Sequence, residues 1–244
     1  GCGCAGGEVE TLTDEGTIDS GVAKRRQEKI YSDVLGRVVK KEILNWAGGT
    51  PYSTTVNAYN ARDQVTSIRE YVGSEISGSF QETTMSYDGY GRLSTRHIPA
   101  QKPGTSTSWT YYADDRINTI TDARGATATF GYEGTKRHLV KSVSHTLAGS
   151  APVNLTYSYD AVGNRKSMGD GLGTTTYQYN ELSRISSETR YINDLGTNYI
   201  LSYDYNLAGE LKSITDPFGG TVTYTYDQTG QLTVVNGPNP GNQQ

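Results

Sequence analysis

Residues 213–232 read SITDPFGGTVTYTYDQTGQL, and two readings of them lead to different proteins. Asp216-Pro217-Phe218-Gly219 is either part of a self-cleaving or catalytic site, or a hairpin turn that contains a carboxylate. Another stretch of the same chain decides between them. Residues 116–133, RINTITDARGATATFGYE, align without a gap on residues 210–227, ELKSITDPFGGTVTYTYD. Asp216 falls on Asp122 and Gly219 on Gly125, while the residues between them change. That is the behaviour of a turn: Asp at the first position accepts backbone N–H bonds, and Gly at the fourth adopts positive φ. The stretch is a turn between two strands.

A second turn follows each aromatic strand. It reads Tyr87-Asp88-Gly89-Tyr90-Gly91-Arg92-Leu93, Tyr159-Asp160-Ala161-Val162-Gly163-Asn164-Arg165 and Tyr226-Asp227-Gln228-Thr229-Gly230-Gln231-Leu232. Weaker copies begin at Tyr59, Tyr111, Tyr132, Tyr179 and Tyr205, and Ser32 opens the series with the tyrosine lost. These nine copies are spaced 20 to 28 residues apart, a period that marks a repeat architecture. The shortest period fits two strands and two tight turns. Longer periods need insertions, as at Trp46-Ala47-Gly48-Gly49-Thr50-Pro51, so one rim is expected to be smooth and the other ragged. The expected fold is all-β: a repetitive antiparallel hairpin strip over residues 30–235, coiled into an arc, barrel, shell segment or filament. Residues 1–29 form a lead-in and 236–244 a polar Pro/Gly tail.

Strand alternation explains the tyrosines. In Thr221-Val222-Thr223-Tyr224-Thr225-Tyr226 the aromatics share one face and the threonines the other. The same spacing recurs at Tyr157/Tyr159, Tyr177/Tyr179 and Tyr203/Tyr205. Neighbouring copies are expected to place these rings in rows, an aromatic ladder in which each cross-strand pair contributes roughly 0.2–1 kcal/mol.

Composition narrows the function. The chain has 244 residues, a net charge of −4 with both signs interspersed, and 34% hydrophobic content offset by 19 tyrosines. No basic stripe suggests nucleic acid, and no apolar run approaches the ~18 residues of a membrane helix. Cys2 and Cys4 lie in a Gly-rich start with no second pair to complete a metal site. His97, His138 and His145 have no metal spacing. Carboxylates at Asp88, Asp160, Asp204, Asp216 and Asp227 are read as recurring at turn positions, whereas a catalytic pair needs one special environment. No nucleophile elbow, phosphate loop or zinc-protease motif occurs. Neither catalysis nor a cofactor is expected. The best helical stretch is Val22–Ile30.

The Tyr-Asp-x-x-Gly-Arg/Asn-Leu turns, with strands such as GELKSITDPFGGTVTYTYD between them, resemble the YD-repeat, or RHS-repeat, family of bacterial and teneurin proteins. The resemblance covers roughly Ile30 to Val235. It implies a strip of hairpins coiled into a hollow shell, which encloses a toxic C-terminal segment in bacterial toxins and forms part of an adhesion ectodomain in teneurins. It also implies a secreted or cell-surface bacterial protein. The closing block with its self-cleavage site is missing, and NGPNPGNQQ follows Val235 where a toxin would stand. The shell-wall role is therefore carried over and the cleavage activity is not.

Eighteen strands at ~4.8 Å make a strip of about 86 Å, only about 27 Å across if closed into a ring. The strip's terminal strands are expected near Val38–Leu44 and Leu232–Val235, the first flanked by Lys40, Lys41 and Glu42 and the second bare. Free edges template other chains, so self-association through these strands is expected. Tyrosines beside Asp, Asn and Arg also suit a glycan or a surface protein as partner, the main alternative to a purely structural role.

Overall fold

The computed structural model describes residues 9–13, 17–19, 22–24, 27–45, 49–75, 79–134 and 138–238. Cys2 and Cys4 lie outside them. The described residues form strands and turns throughout, with no helix among them. The strands are β1 (Val9–Thr13), β2 (Thr17–Asp19), β3 (Val22–Lys24), β4 (Gln27–Ser32), β5 (Val38–Leu44), β6 (Pro51–Tyr59) and β7 (Val65–Val72). Next come β8 (Phe80–Tyr87), β9 (Leu93–His97), β10 (Thr107–Tyr111), β11 (Ile117–Thr121), β12 (Thr127–Tyr132), β13 (Val140–Thr146) and β14 (Val153–Tyr159). The series ends with β15 (Arg165–Asp170), β16 (Gly173–Tyr179), β17 (Ile185–Ile192), β18 (Thr197–Tyr205), β19 (Leu211–Thr215), β20 (Thr221–Tyr226) and β21 (Leu232–Asn236).

The chain divides into two compact units, Gly1–Tyr112 with Thr119–Gly125 and Ala113–Asn118 with Ala126–Gln244. In the first, β1 pairs antiparallel with β4, and each strand from β4 to β10 pairs with the next. In the second, each strand from β12 to β21 does the same. From β4 onward these pairings join consecutive strands, the short-range, hairpin kind that a two-turn repeat dictates. β2 and β3 form a separate small hairpin.

Two expectations are corrected at the start of the chain. Val22–Ile30 is not helical: it supplies β3 and the first residues of β4. Its charged residues have adequate helix propensity, but β4 gains a ladder on both sides, with β1 and with β5, and tertiary pairing overrides so weak a preference. For the same reason Val38–Leu44 is not a terminal strand, since β4 lies on one side of it and β6 on the other. The strip's lead-in is part of the sheet.

The rims differ as the repeat spacing requires. On the Tyr-Asp rim the connections run 33–37, 60–64, 88–92, 112–116, 160–164, 180–184, 206–210 and 227–231, with a longer one at 133–139. On the other rim they vary from 171–172 to 98–106. A thick core is absent: among the described residues only Leu44, Thr54, Val143, Gly173 and Thr175 are buried. The tyrosines of β16, β18 and β20 are half-buried, while Thr176, Ser202, Thr223 and Thr225 on the alternate face are exposed. Stability in such an array comes from contacts between neighbouring copies.

Candidate functional site

The feature that recurs is a node joining each Tyr-Asp turn to the next. Its first component is the turn. Asp88 N–H donates to the Arg92 carbonyl at 2.9 Å, and Gly91 N–H donates to the Asp88 carbonyl at 3.0 Å. Asp160 with Asn164 and Gly163, and Asp227 with Gln231 and Gly230, repeat the pattern. The carboxylate folds back over the turn: Asp88 Oδ1 accepts the N–H groups of Tyr90 and Arg92, both at 2.9 Å, and Oδ2 accepts Arg92 Nε at 2.8 Å. Asp122 and Asp216, on the other rim, build the same kind of turn with Gly125 and Gly219. Pro217 stands in the second turn position, where its fixed φ is already right.

The fifth residue of the turn, counted from its aspartate, completes a matched pair. Where the turn residue is Asp33 or Asp160, the partner is a donor, Arg37 or Asn164. Where it is Asn60 or Asn206, whose amide donates, the partner is an acceptor, Gln64 Oε1 at 3.0 Å or Glu210 Oε2 at 2.7 Å. Donor and acceptor exchange places while the bond persists. Charge follows from this arrangement. The Arg37 side chain holds the Asp33 carboxyl below the usual carboxylate range. At Asp88 and Asp160 desolvation pushes the pKa up, but hydrogen bonds from Arg92 and from Asn164 outweigh it and the result is lowered. For Asp227 the Thr229 hydroxyl is the main cause of the lowering.

The second component is a bulge. After the Asp88 turn the register slips by one residue, between Tyr87↔Leu93 and Ser86↔Thr95, so Ser94 is left without an opposite number. The same slip sets aside Val39, Thr66, Lys141, Lys166, Ser186, Lys212 and Thr233. A bulge twists the strand and interrupts its pairing. On its other side, the ladder to the following copy begins only beyond the bulge, at Lys40↔Val56, Ser67↔Thr84 or Ser187↔Ser202. The carbonyl of the residue before each bulge therefore needs a partner other than a strand.

The tyrosine of the next copy supplies it. Tyr59 donates its hydroxyl to the Val38 carbonyl at 2.7 Å, Tyr87 to Val65 at 2.7 Å, Tyr111 to Leu93 at 2.8 Å and Tyr132 to Ile117 at 2.9 Å. Tyr159 donates to Val140 at 2.8 Å, Tyr179 to Arg165 at 2.9 Å and Tyr205 to Ile185 at 2.9 Å. Seven successive tyrosines thus replace a missing ladder bond with a side-chain one. In the last copy, Tyr226 makes no corresponding bond to Leu211 among the described residues.

The third component is the residue before that carbonyl. Arg37 lies over the Tyr59 ring at 4.9 Å, Arg92 over Tyr111 at 4.5 Å, Arg116 over Tyr132 at 4.5 Å and Arg184 over Tyr205 at 5.6 Å. The same side chain meets the positive-φ residue of the next turn. Gln64 Nε2 donates to the Gly91 carbonyl at 2.5 Å, and Arg184 lies so close to Gly209 that a Cβ there would collide with it. Glu210 covers Gly230 in the same way. Where the glycine is replaced, the contact becomes polar: Arg37 pairs with Asp63 at 2.5 Å, and Asn164 Nδ2 donates to Ser183 Oγ at 3.3 Å. Asp63 and Ser183 keep the positive φ, at 60° and 58°.

The eight tyrosines of the expected ladder, 157, 159, 177, 179, 203, 205, 224 and 226, are all half-buried in β14, β16, β18 and β20. Tyr159, Tyr179 and Tyr205 enter nodes, and Arg165 lies 5.0 Å over the Tyr157 ring. No ring pair is formed among the eight; Tyr71–Phe80 and Tyr199–Phe218 are ring contacts elsewhere in the described residues. Sequence reasoning expected these rings to stack in rows, an arrangement that no ring pair among the eight forms, and it missed the hydroxyl-to-carbonyl bond. The signal for it was present, since a tyrosine at one fixed place in each copy points to a role for the hydroxyl as well as the ring.

Nothing in this arrangement poises a nucleophile or a proton donor. Among the described residues no group of His, Cys, Asp and Glu side chains could hold a metal ion. His97 is tied to the Thr105 carbonyl at 2.5 Å. An open groove of about 450 Å³ between Asn154, Thr156, Asp170 and Asn193 is another concave feature. Its Asp170 is already held by Arg190 Nη2 at 2.8 and 3.0 Å.

Comparison with known proteins agrees with this geometry. The family model described as RHS Repeat matches residues 205–240, which contain the last Tyr-Asp turn and its strands. The search of curated proteins returned no match. Among solved structures, the crystal structure of TcdB2-TccC3-Cdc42 superposes with a TM-score of 0.52 at 15% identity, covering 89% of this chain and 15% of that one. TcdB2-TccC3 without its hypervariable C-terminal region superposes at 0.50 with 12% identity, covering 96% of this chain and 19% of that one. This chain therefore spans under a fifth of the length of those structures, and the likeness is one of fold. The family model is seated on one copy of a turn that recurs along the strip, so residues 205–240 carry an RHS repeat and the rest of the chain is similar to such proteins in fold.

Proposed function

We propose that the chain is a non-enzymatic wall segment of an RHS-type shell or extracellular filament, belonging to a secreted or surface bacterial protein. The observation that carries the reading is the node itself. Seven tyrosine hydroxyls, the resource a binding or catalytic face would use, are spent on backbone carbonyls of the preceding copy. The repeated polar groups satisfy one another and hold a thin sheet in shape. Encapsulation of a toxic segment by a longer chain is one use of such a wall, and the TccC3-containing structures that share the fold favour it over a free-standing filament.

A glycan-binding module is the competing reading, because arginine and tyrosine lie together at four of the seven nodes. The two are separated by placing Tyr179→Ala and Tyr205→Ala on a glycan array and in a thermal melt. A wall loses stability and has no glycan signal to lose. A glycan signal that vanishes without a change in melting temperature would replace the wall by a binding module.

A further inference from the structure

The last copy presents the acceptor half of a node with nothing in it. Leu232 occupies the place whose carbonyl receives a tyrosine hydroxyl in seven earlier copies, and Gln231 the place that covers the next turn's glycine. Every residue of β21 is exposed, with Leu232, Val234 and Val235 at 53%, 44% and 52%. The residues that follow, GPNPGNQQ, contain no tyrosine to fill it. The opposite end is built differently. The first copy carries Ser32 where the others carry tyrosine, and the Tyr31 hydroxyl beside it is held by Glu42 at 2.8 Å. The neighbour of β4 is β1, whose sequence VETLT also lacks tyrosine. A second copy of this chain can offer β1 as a backbone edge, yet it brings no donor for the node.

We infer that the strip is polar. β21, with the Leu232 carbonyl and Gln231, is an acceptor for one further Tyr-Asp hairpin supplied by polypeptide outside residues 1–244, and β1 is not its complement. This departs from the expected end-to-end self-association by naming a different partner chemistry, and it rests on the wall-segment reading. The occupant is defined by continuity with the internal nodes: a strand ending in tyrosine, then Asp or Asn, with glycine three residues after it. Such a hairpin extends the sheet by one strand pair, satisfies the Leu232 carbonyl and lays its glycine beneath Gln231.

The test adds a fluorescent synthetic hairpin of residues 197–215 to the full chain and reads anisotropy together with amide hydrogen exchange. The expected result is saturable binding that protects the outward amides of β21 and leaves those of β1 unchanged. Phenylalanine in place of Tyr205 within the peptide weakens binding about fivefold, the worth of about 1 kcal/mol for one hydrogen bond. Because an isolated hairpin is only marginally stable, a second arm appends residues 156–168 after Gln244, which sets a new tyrosine at the spacing of the internal copies. That version protects β21, and its Tyr→Phe counterpart does so less. Absence of binding and of protection in both arms overturns the inference, as does equal behaviour of tyrosine and phenylalanine, or protection that appears at β1. Failure here, with interior Tyr→Phe changes still destabilising, leaves the wall reading standing and removes only the polarity.

Discussion

The interior copies and the final copy share a sequence motif but differ in what surrounds it. Tyr205 reaches the Ile185 carbonyl at 2.9 Å and lies against Arg184. Tyr226, one copy later, has the same half-buried place on its strand and no such bond among the described residues, and the β21 strand that follows it is exposed throughout. The difference teaches that the motif is a half-site. One copy contributes a tyrosine, the copy before it contributes a carbonyl and a long polar side chain, and the contact exists only between them. Stability of this kind is a nearest-neighbour property, so an interior substitution disturbs two copies and a terminal one disturbs a single copy.

Glycine positions give the largest contrast. Gly173 is buried in the middle of the second unit, and a Cβ there would run into the backbone carbonyl of Tyr191, which cannot swing aside. Gly173→Ala is expected to cost about 3 kcal/mol, the upper end for overpacking. Gly36, in the first copy, has open space around it and only a φ of +78° to satisfy. Gly36→Ala is expected to cost about 1 kcal/mol from the left-handed backbone alone. Denaturant unfolding of the two variants checks the ranking, and equal losses would break the comparison.

Ring removal comes next. Tyr205→Ala is expected to lose about 2 kcal/mol, less than a fully buried aromatic because the ring is half-exposed. Tyr226→Ala should lose less than half of that, since it forfeits ring contacts but no hydrogen bond. Amide exchange along β18–β21 localises each loss, and a larger effect at Tyr226 would reverse the reading of the last copy.

Acid sharpens the comparison from another side. Asp33, Asp88, Asp160 and Asp227 are all held below the ordinary aspartate value of 3.8. A carboxylate with a depressed folded pKa gives stability that is fully present above the unfolded value and is lost as pH falls through the folded one. The melting temperature is therefore expected to change little through these groups from pH 7 to pH 4, then fall below pH 3.8. Asp88→Asn should flatten that acid limb, because an amide has no proton to take up. A loss of stability already complete at pH 5 would point to other groups.

Much of the architecture is legible in the residues alone. The Asp-x-x-Gly spacing is local chemistry, and the turns at Asp88, Asp160 and Asp216 follow from it. Strand alternation in TVTYTY is equally local, and it puts the tyrosines on the partly covered face. Two features were out of reach for physical reasons. The partner of each tyrosine hydroxyl is a backbone carbonyl 14 to 22 residues away, exposed by a bulge whose position depends on the paired strand. β1 escaped notice because Val9–Thr13 is five residues long and gains its stability only against β4, which in turn drew Val22–Ile30 away from a helix.

The hydroxyl bond between copies is what joins one node to the next, and a Tyr→Phe scan tests it most directly, because phenylalanine keeps the ring and removes only the donor. Tyr59, Tyr87, Tyr159, Tyr179 and Tyr205 form the interior set, and Tyr224 and Tyr226 the comparison set. Equilibrium unfolding is expected to show a loss of about 1 kcal/mol at each interior position and no measurable change at Tyr224 or Tyr226. Losses that are uniform across both sets, or absent from the interior set, would contradict the claim that the hydroxyls hold one copy to the next.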